Sequence, residues 1–210
     1  DPTESRGLGD VYKRQILTDD LGWGDVSYHG GSIPTPNIDK LVSDGLEMNR
    51  FYSDPSCSPT RASMLTGINS FAYGVVRPFA NPRAESFGMP LEHKIMPEYF
   101  KDAGYKTVLT GKWHLGIFDD RYLPMNRGFD STYGHLMGAI DYFDHGFSGR
   151  LDWHRDGKPL YEDGYSTTLI ANEAVNVIKN IKKDTPLFLY VAFNAPHTPI
   201  QAEIEDIELF

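Results

Sequence analysis

Apolar residues recur along this chain in patterns that predict alternating strands and helices. The run Leu187-Phe188-Leu189-Tyr190-Val191-Ala192-Phe193 is unbroken and rich in β-formers, so it predicts a strand buried on both faces, ending at Asn194-Ala195-Pro196-His197. Ile170, Ala174, Val177, Ile178 and Ile181 follow the 3.6-residue period and predict one buried helix face. Ile16-Leu17-Thr18 reads as the last piece of a buried strand, and the Gly-rich polar segment Asp19 to Gly24 as the loop after it. Thr35-Pro36 opens a short helix that Gly45 closes. Ser58-Pro59 opens a second that Gly67 closes, so Cys57 precedes its first turn and Arg61, Ala62, Met64 and Leu65 lie on it. Pro97 to Ala103, closed by Gly104, is a third. Leu46 to Tyr52 and Tyr105 to Thr110 predict two further strands, Gly74 to Pro90 a loop, and Gly116 to Asp163 a long loop region decorated with short strands.

Strands that alternate with helices predict an α/β fold, a mostly parallel sheet sandwiched by helices, with ligands beyond the carboxyl ends of the strands. The polar clusters fall at those ends: Asp19-Asp20, Gly111-Lys112-Trp113-His114 and His197. Composition narrows the classes without changing that picture. With 40% hydrophobic and 23% charged residues in 210, the chain is globular in type, and its longest apolar run is far short of the roughly 20 residues of a membrane helix. A net charge of −9 repels polyanions and argues against nucleic acid as a partner, though a locally basic pocket can still hold a small anion. The single cysteine, Cys57, has no internal disulfide partner.

Both ends are expected to be unnatural. Asp10-Val11-Tyr12-Lys13-Arg14-Gln15 resembles the translation of a transposon adaptor used in DNA library preparation, so residues 1–15 are read as a non-native leader and left out of the predicted fold. Residues 16–210 are then expected to be the N-terminal part of a catalytic domain truncated at both ends.

Each polar cluster has a chemical and an ordinary reading. Two adjacent carboxylates, Asp19 and Asp20, suit a hard cation such as Ca²⁺ or Mg²⁺, or merely cap a turn. A sulfur at a helix N-terminus with Arg61 four residues on favours a thiolate and holds an anion, whereas most lone cysteines are small buried hydrophobes. Lys112 and His114, two apart, point the same way if extended, or anchor a surface loop with Trp113. His197, between Pro196 and Pro199, could be an ordinary loop histidine.

Taken together, these segments resemble a family. Cys57-Ser58-Pro59-Thr60-Arg61-Ala62-Ser63-Met64-Leu65-Thr66-Gly67 is similar to the first signature of the type I sulfatases, and Gly111-Lys112-Trp113-His114-Leu115-Gly116 to their second. Leu17 to Asp25, Thr35 to Asp39 and Pro186 to Tyr190 ahead of His197 continue the likeness in the family's order. Arg127-Gly128-Phe129-Asp130, Tyr133-Gly134, Gly138 and Asp141-Tyr142-Phe143 are most like the arylsulfatase B group, which removes 4-sulfate from N-acetylgalactosamine.

The resemblance implies an alkaline-phosphatase-like fold and a sulfuric ester hydrolase acting on a sulfated carbohydrate or aryl sulfate ester, as in glycosaminoglycan degradation. It implies that a separate formylglycine-generating enzyme oxidises Cys57, within Cys57-x-Pro59-x-Arg61, to formylglycine, whose hydrate is the nucleophile. Asp19, Asp20 and the modified Cys57 would hold one Ca²⁺, and Arg61 would orient and charge-stabilise the nucleophile. Lys112 would bind it and the sulfate, His114 would be the base that releases the product, and His197 would bind sulfate and protonate the leaving oxygen. The family's remaining ligands, an Asp-Asn pair and a second Lys, lie beyond residue 210. Family members are secreted, periplasmic or lysosomal. Phosphoester or phosphonate hydrolases of the same superfamily, and a pseudo-sulfatase that only binds sulfated glycans, are the alternative readings.

Overall fold

The computed structural model describes residues 12–79 and 88–209. Its centre is the predicted apolar strand, which runs from Leu187 to Pro196 as β8 in a six-stranded sheet. The sheet order is β1 (Tyr12–Asp19), β8, β2 (Lys106–Lys112), β3 (Ser131–His135), β6 (His154–Arg155) and β7 (Lys158–Pro159). β1, β8, β2 and β3 are mutually parallel, and β6 and β7 extend the edge antiparallel. A separate hairpin pairs β4 (Gly146–Phe147) with β5 (Arg150–Leu151).

Alternation along β8 explains why both faces are covered. Leu187, Leu189 and Val191 point into one core with Val108, Tyr133, Trp153 and the Ile170 and Ala174 face of α4 (Ser166–Asn180). Phe188, Tyr190 and Ala192 point into the other, with Ala62 and Leu65 of α2 (Cys57–Thr66), Ile95 ahead of α3 (Met96–Asp102), and Phe129. Burying a side chain of this size stabilises the fold by about 1.5–3 kcal/mol, which is why β8 fixes the register of both neighbours. At the carboxyl end of β2, Gly111 has φ +105°, and a Cβ there would lie 1.9 Å from the Ala192 carbonyl oxygen. Only glycine lets the strands close so tightly beneath the site.

The predicted elements are mostly present, with four corrections. α1 (Pro36–Asp44), α2, α3 and α4 fall where expected, with α2 starting at Cys57 itself. The strand expected over Leu46 to Tyr52 is absent: the segment has one turn, Phe51 N–H to the Met48 carbonyl at 3.4 Å, and no ladder. Apolar alternation cannot make a strand without a partner for its backbone. β1 is longer and more exposed than the buried strand end read at Ile16-Leu17-Thr18. It begins at Tyr12, pairing Tyr12 with Leu187 and Gln15 with Tyr190, while Ile16 is 56% exposed. Residues 12–15 of the expected leader are therefore part of the sheet, because ladder hydrogen bonds need only backbone, and 1–11 lie outside the described residues. β2 runs on to Lys112, so Gly111-Lys112 ends the strand and does not follow it. β3, a central strand, was hidden in the long loop region, since five residues containing Gly134 and His135 carry little apolar pattern.

Candidate active site

Four parallel strands deliver their carboxyl ends to one place: β1 ends at Asp19, β2 at Lys112, β3 at His135, and β8 runs out through Pro196 to His197. From the far side α2 presents its N-terminal turn, with Cys57 at the first helical position and Arg61 one turn later. Cys57, Asp19, Asp20, Asp54, Thr60 and Arg61 line one open cavity of about 370 Å³.

Charge is concentrated and buried there. Lys112 is 0% exposed and its ammonium is paired with the Asp19 carboxylate, while Arg61, 1% exposed, holds an amino group 3.6 Å from the other Asp19 oxygen. Arg61 also donates to the Lys112 carbonyl at 3.0 Å and to the Tyr190 hydroxyl at 3.2 Å, yet its Nε and second amino group have no hydrogen-bond acceptor. Two buried cations thus face one buried carboxylate. Burial, followed by the neighbouring guanidinium, pulls the Lys112 ammonium below the ordinary lysine range even with Asp19 beside it. The guanidinium thus keeps buried N–H groups without an acceptor beside the Cys57 cavity, an arrangement costly to bury unless a partner is supplied.

His114 lies on the inner wall, 4% exposed. It departs from the extended geometry expected of Lys112-x-His114: its φ is +55°, its N–H bonds the Leu136 carbonyl at 3.1 Å, and its own carbonyl accepts from the Ser58 hydroxyl at 2.8 Å. Burial, then the charges of Lys112 and Arg61, push its pKa down to about 2, so the imidazole is neutral. His197 arrives from the β8 side. Its Nδ1–H donates to the Thr198 carbonyl at 2.6 Å, leaving Nε2 3.7 Å from an Asp20 carboxylate oxygen. Asp20, with φ +64°, keeps its side chain 60% exposed on the rim of the same cavity.

All seven residues singled out from the sequence therefore meet at one end of the sheet, although Lys112 and His114 sit behind the cavity wall and His197 faces Asp20 across from Cys57. Sequence reasoning missed the residues that hold them. The Tyr142 hydroxyl donates to the His197 carbonyl at 2.7 Å, and Tyr190 braces Arg61. His135 pairs in register with Lys112, is 1% exposed, and keeps an unpartnered Nε2. No periodicity marks such residues; only the register between strands does.

Asp19 and Asp20 are hard oxygen donors on the rim of the Cys57 cavity and fit Ca²⁺ in type. They are too few for a cation that takes six to eight oxygens, and among the described residues no group of three or more His, Cys, Asp or Glu converges. Cys57, half-buried at a helix start and open to the cavity, fits a small oxygen-bearing modification.

Comparison with known proteins places the chain in a family. The Sulfatase family profile matches residues 15–207, and the chain belongs to that family. It is 36% identical to mouse arylsulfatase J over 89% of this chain and 32% of that protein. It is 33% identical to human N-acetylgalactosamine-6-sulfatase over 89% of this chain and 40% of that protein. Among solved structures, Ps i-CgsB in complex with k-i-k-neocarrahexaose superposes with a TM-score of 0.78 at 33% identity, covering 94% of this chain and 48% of that one. The chain thus spans about a third to a half of the length of the relatives it matches.

Proposed function

We propose that the protein containing this chain hydrolyses sulfate esters of a carbohydrate or aryl alcohol, using a formylglycine made from Cys57 by a formylglycine-generating enzyme. The observation that carries this reading is the excess of buried positive charge, Arg61 and Lys112 against Asp19, beside the cavity that Cys57 opens into. A tetrahedral oxyanion of sulfur is the ligand such a pocket suits, and membership of the Sulfatase family supports the choice over other anions.

A hydrated aldehyde at position 57 supplies an oxygen nucleophile that can afterwards depart as a carbonyl. Arg61 would orient and charge-stabilise the nucleophile at position 57, and Lys112 would bind it and the sulfate, meeting the charge that grows during attack at sulfur. His197, its ring fixed by the Thr198 carbonyl, passes a proton from Nε2 to the departing alcohol oxygen. His114 would take the proton whose removal from position 57 releases the product. Its pKa of about 2, set first by burial, keeps it unprotonated for that task. Asp19 and Asp20 would contribute to a Ca²⁺ site whose charge polarises sulfate, with the remaining oxygens supplied from outside this chain. On this reading the 210-residue chain alone does not turn over.

The narrower reading is a 4-sulfatase of N-acetylgalactosamine like the arylsulfatase B group, acting in a secreted, periplasmic or lysosomal compartment. It rests on the Arg127 to Phe143 likeness; the human relative is named a 6-sulfatase of N-acetylgalactosamine, so it shares that sugar but not the 4-position. The test is sulfate release by the full-length protein, co-expressed with a formylglycine-generating enzyme, from an aryl sulfate and from N-acetylgalactosamine 4-sulfate, beside a Cys57→Ala control. Release that disappears in the control supports the proposal. Turnover of a phosphate monoester with none of either sulfate, or no turnover of any ester, contradicts it.

A further inference from the structure

The loop that follows β3 packs against His114 more closely than any side chain could. A Cβ built on Gly138 would lie 2.4 Å from His114 Cε1 and 2.7 Å from its Nε2, well inside van der Waals contact. The φ of Gly138 is outside the left-handed region, so the backbone does not require glycine there. What requires it is the imidazole.

The loop is itself held by one buried side chain. Asp152, 7% exposed, accepts from the Leu136 N–H at 3.1 Å and the Met137 N–H at 2.7 Å, and its carboxylate lies 3.0 Å from His154 Nε2. The same loop returns a contact to the site, since the Leu136 carbonyl accepts from the His114 N–H. Among the described residues the His114 ring has no hydrogen-bond partner at Nδ1 and no carboxylate partner; a backbone hydrogen bond at Phe79 is what reaches it. Its orientation is therefore constrained by packing on Gly138 together with that one bond, without the carboxylate that orients many catalytic histidines.

We infer that Gly138 and Asp152 are positioning residues for His114: Asp152 pins the Leu136–Gly138 loop, and the bare backbone of Gly138 forms the surface that aims the imidazole. This rests on the hydrolase reading only for the consequence in turnover; the orientation of the ring can be read without it. Gly138→Ala forces ring or loop to give way, and a misplacement of about 1 Å at a reacting group costs on the order of a hundredfold in rate. Asp152→Ala leaves the Leu136 and Met137 N–H groups without an acceptor and frees the loop. Asp152→Asn keeps one acceptor oxygen and is the conservative rescue.

Two readouts test this. In the 210-residue chain labelled with ¹⁵N-histidine, Gly138→Ala and Asp152→Ala should move the His114 ring resonances, while Asp152→Asn should return them toward their original positions. In the full-length protein, Gly138→Ala should lower kcat by about a hundredfold with KM changed by less than about threefold, the signature of a group that acts after binding. If Gly138→Ala does not fold, the Asp152 pair alone decides. A drop in thermal stability with His114 resonances and kcat unmoved overturns the inference. If the wild-type protein releases no sulfate yet the resonances move as stated, the hydrolase reading fails and the positioning role stands.

Discussion

The two flanks of the sheet treat their side chains in opposite ways. Between β2, β3 and β8, strongly charged groups such as Arg61 and Lys112 are at most 1% exposed, braced by Tyr190 and the strand ends. On the flank made by α1 and the segment that follows it to Tyr52, apolar groups face water: Leu41 is 67% exposed, Leu46 91%, Phe51 71% and Tyr52 84%. The site is sunk in the core, and its buried ions are a cost that the two apolar clusters offset. The flank contributes little to the fold as it stands and presents a surface suited to association.

Breaking a buried charge should have the largest effect. Lys112→Met leaves Asp19 with only the more distant Arg61, which should destabilise the chain by about 3–5 kcal/mol in urea unfolding. The double variant Asp19→Asn/Lys112→Met should recover at least about 1 kcal/mol of that loss, since no orphaned carboxylate remains. Leu41→Ser on the flank should change stability by no more than about 0.5 kcal/mol. Equal effects at Lys112 and Leu41 would erase the contrast.

Acid sharpens it. His114 has a folded pKa of about 2 against an ordinary value of 6.5, and burial holds His135 well below that value too. Between those limits the unfolded chain binds protons that the native chain refuses, so stability is full above about pH 6.5 and falls as pH drops. The slope should be about 1.4 kcal/mol per pH unit for each of the two histidines. Unfolding measured at pH 7, 6 and 5 checks this, and His114→Asn should roughly halve the slope. No comparable slope should follow from any substitution among the apolar flank residues.

The same contrast explains what could be read from the sequence. β8 and α4 announce themselves because burial on two faces, or on one helical face, writes a pattern into the residues. Cys57, Arg61, Lys112 and His114 were legible as motifs, and the strand-end rule for α/β sheets brought them together before any coordinates. β3 was not legible, because Gly134 and His135 are chosen for close approach and for the site, not for apolar pairing. The expected strand over 46–52 failed for the opposite reason: its pattern suits burial, but no described backbone pairs with it. Gly138 was visible only as part of the family likeness; its contact with His114, 24 residues away, and the bonds of Asp152 to backbone N–H groups leave no periodic pattern.

The smallest effect lies on the flank. The chain should self-associate as its concentration rises, and Leu46→Ser with Phe51→Ser should shift the size-exclusion profile toward monomer without altering its unfolding midpoint measurably. An unchanged profile would mean that the exposed apolar residues are not an association surface.

The most direct test of the account is the mass of the peptide that spans Cys57, taken from the 210-residue chain after co-expression with a formylglycine-generating enzyme. Pro59 and Arg61 at their spacing from Cys57, at an accessible helix start, predict a peptide lighter by the difference between CH₂SH and CHO. An unshifted peptide, under conditions that convert a control sulfatase completely, would contradict the assignment of Cys57 as the source of the nucleophile.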